Sequence, residues 1–170
     1  RGAETTLSVT YAGEQLAAQL AAQVVKVDGQ PLGRAELAAR VPLHLQLDSG
    51  VNVASVLEQL RSGAGTVDLS VRELALPRLL ALNQAAGQAP PLAAGTAEVA
   101  VQARGPLLGP TITARVDASG LRSPAGGALS ERTLGAALRA SYTRDEAALT
   151  LNLDLDGKPL LSGKAGAAVG

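Results

Sequence analysis

A two-residue alternation of apolar and polar side chains is the feature that most constrains how this chain can fold. From Ala35 to Leu47 every odd position is apolar, while most even positions carry polar or charged side chains. Successive side chains of a β-strand point to opposite faces of the sheet, so this pattern predicts a strand with one apolar face. The pattern returns at 67–71, 138–142 and 149–155. Most of the chain is therefore predicted to form β-sheet with one apolar face.

Glycine, proline and aspartate separate the alternating runs, as the turns of antiparallel hairpins require. Pro42 lies inside the longest run and cannot donate a hydrogen bond to a neighbouring strand. We therefore expect this strand to lie at a sheet edge, or to be bulged or split at Pro42. The predicted turns are Ala12-Gly13-Glu14, Asp28-Gly29, Ser49-Gly50, Gly105-Pro106, Gly109-Pro110, Gly126-Gly127 and Asp156-Gly157.

Three segments depart from simple alternation. Apolar residues three and four apart predict short helices at Val53–Arg61 and Leu76–Ala86. The third segment, Glu14–Val25, is ambiguous, because its Ala, Leu and Gln residues favour helix while its leucines and alanines also alternate as in a strand.

An internal repeat favours strand for the ambiguous segment. The sequence VDGQPLG at 27–33 resembles LDGKPLLSG at 155–163, and the run before the second copy alternates cleanly. We therefore predict a strand over Leu16–Val27, with a β-bulge at Val24–Val25.

The repeat also predicts the domain organisation. Residues 1–170 are interpreted as a single β-rich segment of a longer repeat protein, with the tail of one repeat at about 1–50 and the next repeat at about 51–163. The sequence opens on Arg1 rather than Met and contains no apolar run near the ~20 residues that a membrane helix needs. We expect any anchor or export signal to lie outside it.

Composition excludes several classes of partner. Fifteen basic and fifteen acidic side chains cancel, so no net charge attracts nucleic acid. Aromatic residues make up 1% of the chain, which removes the stacking surfaces that bind bases. The absence of cysteine excludes disulfides and thiolate metal sites. Nucleic acid is therefore not an expected partner.

No residue pattern indicates catalysis. His44 is the single histidine and stands on the polar side of its run, without the partners that a zinc site or a catalytic triad needs. The stretch NLDLDG at 152–157 resembles the start of a calcium loop, but Gly163 stands where that loop needs a bidentate glutamate. We expect no enzyme activity, no catalytic residue, no metal site and no cofactor.

The apolar face of the predicted sheet must be covered, because exposed apolar surface costs roughly 25 cal/mol per Å². One arrangement is a β-sandwich, in which two sheets fill each other's interior. The inward side chains are Leu, Val and Ala with almost no aromatics, which favours one curled antiparallel sheet whose apolar face lines an open trough. We predict the mostly-β curled sheet, with one or two short helices.

One recurring pattern resembles a known family. A Gly-Thr pair opens an alternating run, a Gly-x-x-x-x-Pro corner follows it, and a second alternating run ends on Gly-Leu. The chain resembles the TamB/AsmA-like bacterial envelope proteins in this unit and in its flanks, GTVDLSVRELALPRLLAL before it and ASYTRDEAALTLNLDLDGKPLLSG after it. The resemblance covers about Gly50 to Gly163. The unit's fixed positions are Gly95-Thr96, Gly105, Pro110 and Gly120-Leu121.

The resemblance implies a sheet folded lengthwise into a trough, the β-taco, in a periplasmic protein anchored in the inner membrane by a segment outside this sequence. It also implies transport of phospholipid between inner and outer membrane, support of outer-membrane protein assembly, and an Omp85-type outer-membrane barrel as partner. Two alternatives are a chaperone module that binds unfolded outer-membrane strands by β-augmentation and a ligand-free structural stalk. Exposed edges would also favour a homodimer of the isolated segment.

The residue pattern and the resemblance predict the same lipid-binding groove. Acyl chains would lie along its apolar wall and headgroups at its open edge, with few polar groups to select among lipids. The predicted wall residues are Leu37, Val41, Leu43, Leu45, Val67, Leu69, Val99, Val101, Ile112, Val116, Leu149, Leu151 and Leu153.

Overall fold

Nine β-strands and two short helices make up most of the part of the chain that the structure describes. This structure is a computed structural model and describes residues 4–12, 15–27, 30–42, 53–81, 91–106, 109–127 and 130–169. The helices are α1 at Val53–Ser62 and α2 at Leu76–Ala81. The strands are β1 at Glu4–Ala12, β2 at Gln15–Val27, β3 at Gln30–Pro42, β4 at Gly65–Ala75, β5 at Ala94–Gly105, β6 at Thr111–Arg122, β7 at Leu134–Tyr142, β8 at Glu146–Leu155 and β9 at Lys158–Ala168.

All nine strands belong to one antiparallel sheet, in which each strand pairs with the next along the chain. The sheet is open, so β1 and β9 are its two edge strands within the described residues. The predicted mostly-β fold, one antiparallel sheet with two short helices, is confirmed. The alternative of two packed sheets is wrong, because every described strand lies in the same sheet.

The β8–β9 hairpin shows how turn chemistry sets this order. Asp156 and Gly157 are its turn residues, with φ of 53° and 74°. Positive φ at both central positions is typical of a type I′ turn, whose twist matches that of antiparallel strands. Asp156 also ties the turn to the residues before β7, because the Thr133 N–H donates to its Oδ1 at 2.9 Å and Arg132 Nε donates to its Oδ2 at 3.0 Å.

Both helices connect consecutive strands and begin where predicted. α1 ends at Ser62, and Gly63 donates its N–H to the Gln59 carbonyl at 2.7 Å. α2 ends at Ala81, and residues 82–86 of the predicted helix lie outside the described residues. α1 contacts β3, and α2 contacts β4 and β5, so each helix lies near strands that it joins.

β2 confirms the strand that the internal repeat predicts over the ambiguous segment. The bulge expected at Val24–Val25 is wrong. Val24 pairs with Gly33 and Lys26 pairs with Pro31, so β2 and β3 keep one register on both sides of Val25. A bulge needs an extra residue in one strand, and this unbroken register leaves none.

Pro42 is the last residue of β3, an internal strand, so its expected place in an edge strand is wrong. The physical reason is local. β3 pairs with β4 only as far as Arg40, whereas its pairing with β2 continues to Pro42. Pro42 therefore has a strand on one side only, and its missing N–H breaks no pairing with β4. Residues 43–50, where the predicted run continues, lie outside the described residues.

The buried core is small and lies where β4 continues into α2. Leu32 and Ala97 are the buried apolar side chains of the described residues, with 2% and 4% exposure. Ala97 pairs with Leu74, and Gly33 lies against the Leu74 backbone. The chain exposes 11445 Å², against about 7,700 Å² expected for a compact monomer of 17.0 kDa. A single sheet layer thus leaves much of its apolar surface in contact with water.

The first prediction concerns Gly95, which has a φ of 140°. A Cβ added at Gly95 would lie 2.6 Å from Leu121 Cδ2 and 3.3 Å from Leu121 Cα. We expect Gly95→Ala to lower the free energy of unfolding by about 1–3 kcal/mol, measured by urea denaturation. Gly163→Ala is the control, because a Cβ there meets open space and should change stability by less than about 0.5 kcal/mol. Equal losses in the two variants would show that contact with Leu121 does not restrict position 95 to glycine.

The second prediction concerns the charge of Asp156. The hydrogen bond from the Thr133 backbone, and then the one from Arg132, lower the pKa of Asp156. Stability from this carboxylate is therefore present above its unfolded pKa and is lost as the pH falls through the lower folded pKa. We expect NMR titration to place the Asp156 midpoint below about 3.9, and Asp156→Asn to remove the corresponding acid dependence of unfolding. A midpoint above that value would show that these hydrogen bonds do not persist in solution.

Candidate functional site

The strand register arranges apolar side chains in rows that cross the sheet. Directly paired residues point to the same face, so each row can be followed from strand to strand. We call the side that carries these rows the apolar face. It carries no charged side chain in its three central rows. These rows are Leu37, Leu69, Val101, Ala114, Ala140, Leu149 and Ala165; Ala39, Val67, Ala103, Ile112, Tyr142, Ala147 and Ala167; and Ala35, Val71, Val99, Val116, Leu138, Leu151 and Gly163.

Eleven of the thirteen predicted wall residues lie on strands that build the apolar face, and they all share its side of the sheet. Leu43 and Leu45 lie outside the described residues. Leu149 is 42% exposed, and the other ten are half-buried. These ten side chains keep partial contact with solvent. The eleven are Leu37 and Val41 on β3, Val67 and Leu69 on β4, Val99 and Val101 on β5, Ile112 and Val116 on β6, and Leu149, Leu151 and Leu153 on β8.

A hollow of about 430 Å³ lies over β6 to β9. This volume falls within the range of pockets that hold small organic ligands. Of the eleven predicted wall residues that the structure describes, Ile112 and Leu149 line it. Its full lining is Ile112, Ala114, Ala140, Ser141, Tyr142, Ala147, Ala148, Leu149, Ala165, Gly166 and Ala167.

The size of the side chains explains where the hollow lies. In the row that contains Leu69, the side chains are large at Leu69 and Val101 on β4 and β5. They are small at Ala114 and Ala140 on β6 and β7. Because these alanines reach less far from the backbone, they form a floor, and the larger Ile112, Tyr142 and Leu149 stand around it. The predicted wall residues are all large and aliphatic, so they do not include these alanines. The alanines alternate with polar residues in the same runs, and that signal could have identified them.

The opposite side of the sheet is polar and charged, and we call it the polar face. Arg115 and Arg139 are paired directly across β6 and β7. Arg115 donates from Nε to Asp117 Oδ2 and from Nη2 to Asp117 Oδ1, the latter at 3.2 Å. The hydrogen bond to Asp117, with the charge of Asp117, raises the pKa of Arg115. A water-facing ion pair of this kind marks the polar face as the solvated side.

The described residues contain no cluster of three or more His, Asp or Glu side chains that could hold a metal ion. No helix in the described ranges is both long enough and apolar enough to cross a membrane. No protein-family model, curated protein or solved structure matches the chain. The three central rows of the apolar face offer a ligand van der Waals contact and shape, and no charged group.

The third prediction uses the two tyrosines as reporters. The chain has two Tyr and no Trp, so Tyr11→Phe leaves Tyr142 as its only strong fluorophore, and Tyr142→Phe leaves Tyr11. Tyr142 lines the hollow and Tyr11 lies on edge strand β1, yet their exposures are similar, 41% and 38%. We expect a fatty acid brominated at mid-chain to quench the fluorescence of Tyr142 at a low concentration. Quenching of Tyr11 should need a concentration at least about threefold higher.

Ala140→Asp places a charge in the floor of the hollow and should remove this difference between the two tyrosines. An unbrominated fatty acid is the control for indirect effects on fluorescence. If both tyrosines are quenched at the same concentration, the hollow is no preferred site for an apolar chain.

Proposed function

We propose that this chain is a wall segment of a lipid conduit, whose apolar β-groove carries phospholipid acyl chains between the inner and outer membranes. The observation that carries the proposal is the apolar face of the single sheet, whose three central rows carry no charged side chain and stay partly exposed. Exposed large apolar patches on proteins usually mark a binding surface. An acyl chain suits this surface as a ligand, because it forms no hydrogen bonds and the side chains of the apolar rows offer almost none.

The energetics support an acyl chain as ligand. Each Å² of apolar surface removed from water is worth roughly 25 cal/mol, on the protein and on the lipid alike. Leu69, Val101 and Leu151 remain partly exposed to solvent in the sheet alone, so contact with an acyl chain would bury surface that the fold leaves open. Binding would therefore also stabilise the sheet.

The rows supply a mechanism for movement. They run perpendicular to the strands, from β3 to β9, and present Leu, Val, Ile or Ala at almost every step. An acyl chain that moves along a row exchanges one aliphatic contact for a similar one, so the barrier between neighbouring positions is low. Smooth aliphatic walls also have few groups that could distinguish one lipid from another. The conduit would therefore be unselective for acyl chains.

The place of this activity in the cell follows from the resemblance described above. In that setting the segment spans part of the periplasm and supports outer-membrane protein assembly, with an inner-membrane anchor and an Omp85-type barrel supplied through other parts of the protein. The lipid-binding step itself depends only on the apolar face and can be tested on this chain.

A second candidate function has one supporting observation. Edge strand β1 exposes Leu7 and Val9, by 65% and 60%, and has a neighbouring strand on one side only among the described residues. An unfolded outer-membrane strand could pair with it by β-augmentation, as a client of a chaperone module. The ligand-free stalk has no comparable support, because a stalk gains nothing from a half-exposed apolar face.

The fourth prediction tests the conduit by photo-crosslinking. The chain is incubated with phosphatidylethanolamine and phosphatidylglycerol vesicles that contain a lipid with a photoactivatable acyl chain, and then irradiated. We expect crosslinked lipid on the natural sequence and at least a tenfold loss with Val101→Asp or Leu151→Asp, since a carboxylate against an acyl chain costs well over the ~1.4 kcal/mol of a tenfold change.

Each variant has a neighbouring control on the polar face. Gln102→Asp and Asn152→Asp introduce the same charge one residue further along β5 and β8, where the side chain points away from the apolar face. Both should retain crosslinking, and circular dichroism should show all four variants folded. Absence of lipid on the natural sequence, or equal losses on the two faces, would overturn the proposal.

A further inference from the structure

A second hollow, of about 410 Å³, lies on the polar face over β5 to β8. The proposed function does not use it, because it lies on the opposite side of the sheet from the apolar rows. Its volume falls within the range of pockets that hold small ligands. Its lining includes six side chains that can donate hydrogen bonds. These are Gln102, Thr113, Arg115, Arg139, Ser141 and Thr150.

The strand register brings positive charge together at this hollow. Arg115 and Arg139 lie directly opposite each other, and their row continues through Thr150 to Lys164 on β9. Among the described residues, this row carries no acidic side chain from β5 to β9. Like charges in directly opposed positions destabilise a sheet. An anion bound between the two guanidinium groups would relieve this repulsion.

The acidic side chains of the polar face do not neutralise both arginines. Glu98 and Asp117 lie opposite each other in the adjacent row, and Asp117 accepts hydrogen bonds from Nε and Nη2 of Arg115. Asp68 lies on β4, outside the lining of the hollow. Arg139 is exposed and forms no ion pair with any other described residue. Arg139 and the Nη1 group of Arg115 can therefore both donate to a ligand.

We infer that this hollow binds a phosphate group between Arg115 and Arg139, with hydroxyl donors from Thr113, Ser141 and Thr150. A phosphate monoester has a charge of about −1.5 to −2 at pH 7 and three strong acceptor oxygens. It can accept hydrogen bonds from both guanidinium groups at once, whereas a carboxylate has less charge and fewer oxygens. Because the hollow has the volume of a small-molecule site, the expected ligand is a phosphate ester rather than a bare ion.

Titration of the natural chain with glycerol 3-phosphate tests the inference, followed by NMR of isotope-labelled protein at pH 7 in about 0.1 M salt. We expect the amide signals of Thr113, Arg139 and Thr150 to shift, with a dissociation constant below about 10 mM. Arg139→Gln should raise this constant at least about fivefold, because it removes charge-assisted hydrogen bonds. Arg72→Gln is the matched control and should have no effect, since Arg72 also lies opposite an arginine, Arg34, but outside the hollow.

A second probe distinguishes two sources of the phosphate group, a soluble ester and the headgroup of an anionic phospholipid. Vesicles of phosphatidylcholine with phosphatidic acid are compared with vesicles of phosphatidylcholine alone. Binding of glycerol 3-phosphate supports the site with a soluble ester as its ligand. Binding only to the vesicles with phosphatidic acid, weakened by Arg139→Gln and not by Arg72→Gln, supports the site with a lipid headgroup as its ligand.

The inference is overturned if neither probe binds, if Arg72→Gln weakens binding as much as Arg139→Gln, or if acetate binds as tightly as glycerol 3-phosphate. Circular dichroism should show both variants folded, because both side chains are exposed. Crosslinking of acyl chains to the apolar face does not depend on Arg139, which lies on the opposite side of the sheet. The failure of this inference therefore leaves the proposed function unaffected.

Discussion

The structure depends on one constraint, the strict register between neighbouring antiparallel strands. Because side chains alternate between faces, a register shift of one residue would exchange the apolar and polar faces of a strand. From β3 to β8 the pairings keep the large aliphatic residues together across six strands, and Leu37, Leu69 and Val101 lie in one row. The separation of the two faces, and with it the apolar surface offered for binding, follows from this register.

One sheet alone buries less apolar surface than the two packed sheets of a sandwich. In a sandwich each sheet buries the other's apolar face, whereas here the described strands form one sheet and the buried apolar side chains are confined to the end near Leu74. The stability of such a sheet rests on backbone pairing and on contacts between neighbouring rows. This makes local features important, such as the Asp156 turn and the close approach of Gly95 to Leu121.

Sequence periodicity predicted the strands well because alternation reports local geometry directly. The internal repeat resolved β2, for which propensity and alternation disagreed. The sequence could not predict features that depend on neighbouring strands. The absence of a bulge at Val25 depends on the pairing with β3, and the tolerance of Pro42 depends on where β4 stops. The hollow over Ala114 and Ala140 was missed for a similar reason, since small residues form a floor only when the register places them side by side.

Intermolecular NMR contacts test most directly whether the apolar face is free to hold acyl chains. The measurement uses deuterated protein with protonated Ala, Val and Leu methyl groups and a protonated phospholipid. We expect cross-peaks from the acyl chain to the methyl groups of Leu69, Val101 and Leu151, and none to Ala100 and Ala137 on the polar face. Cross-peaks from Leu69 and Val101 only to methyl groups of distant strands, with no lipid contact, would show that the protein itself closes this face and would contradict binding of acyl chains there.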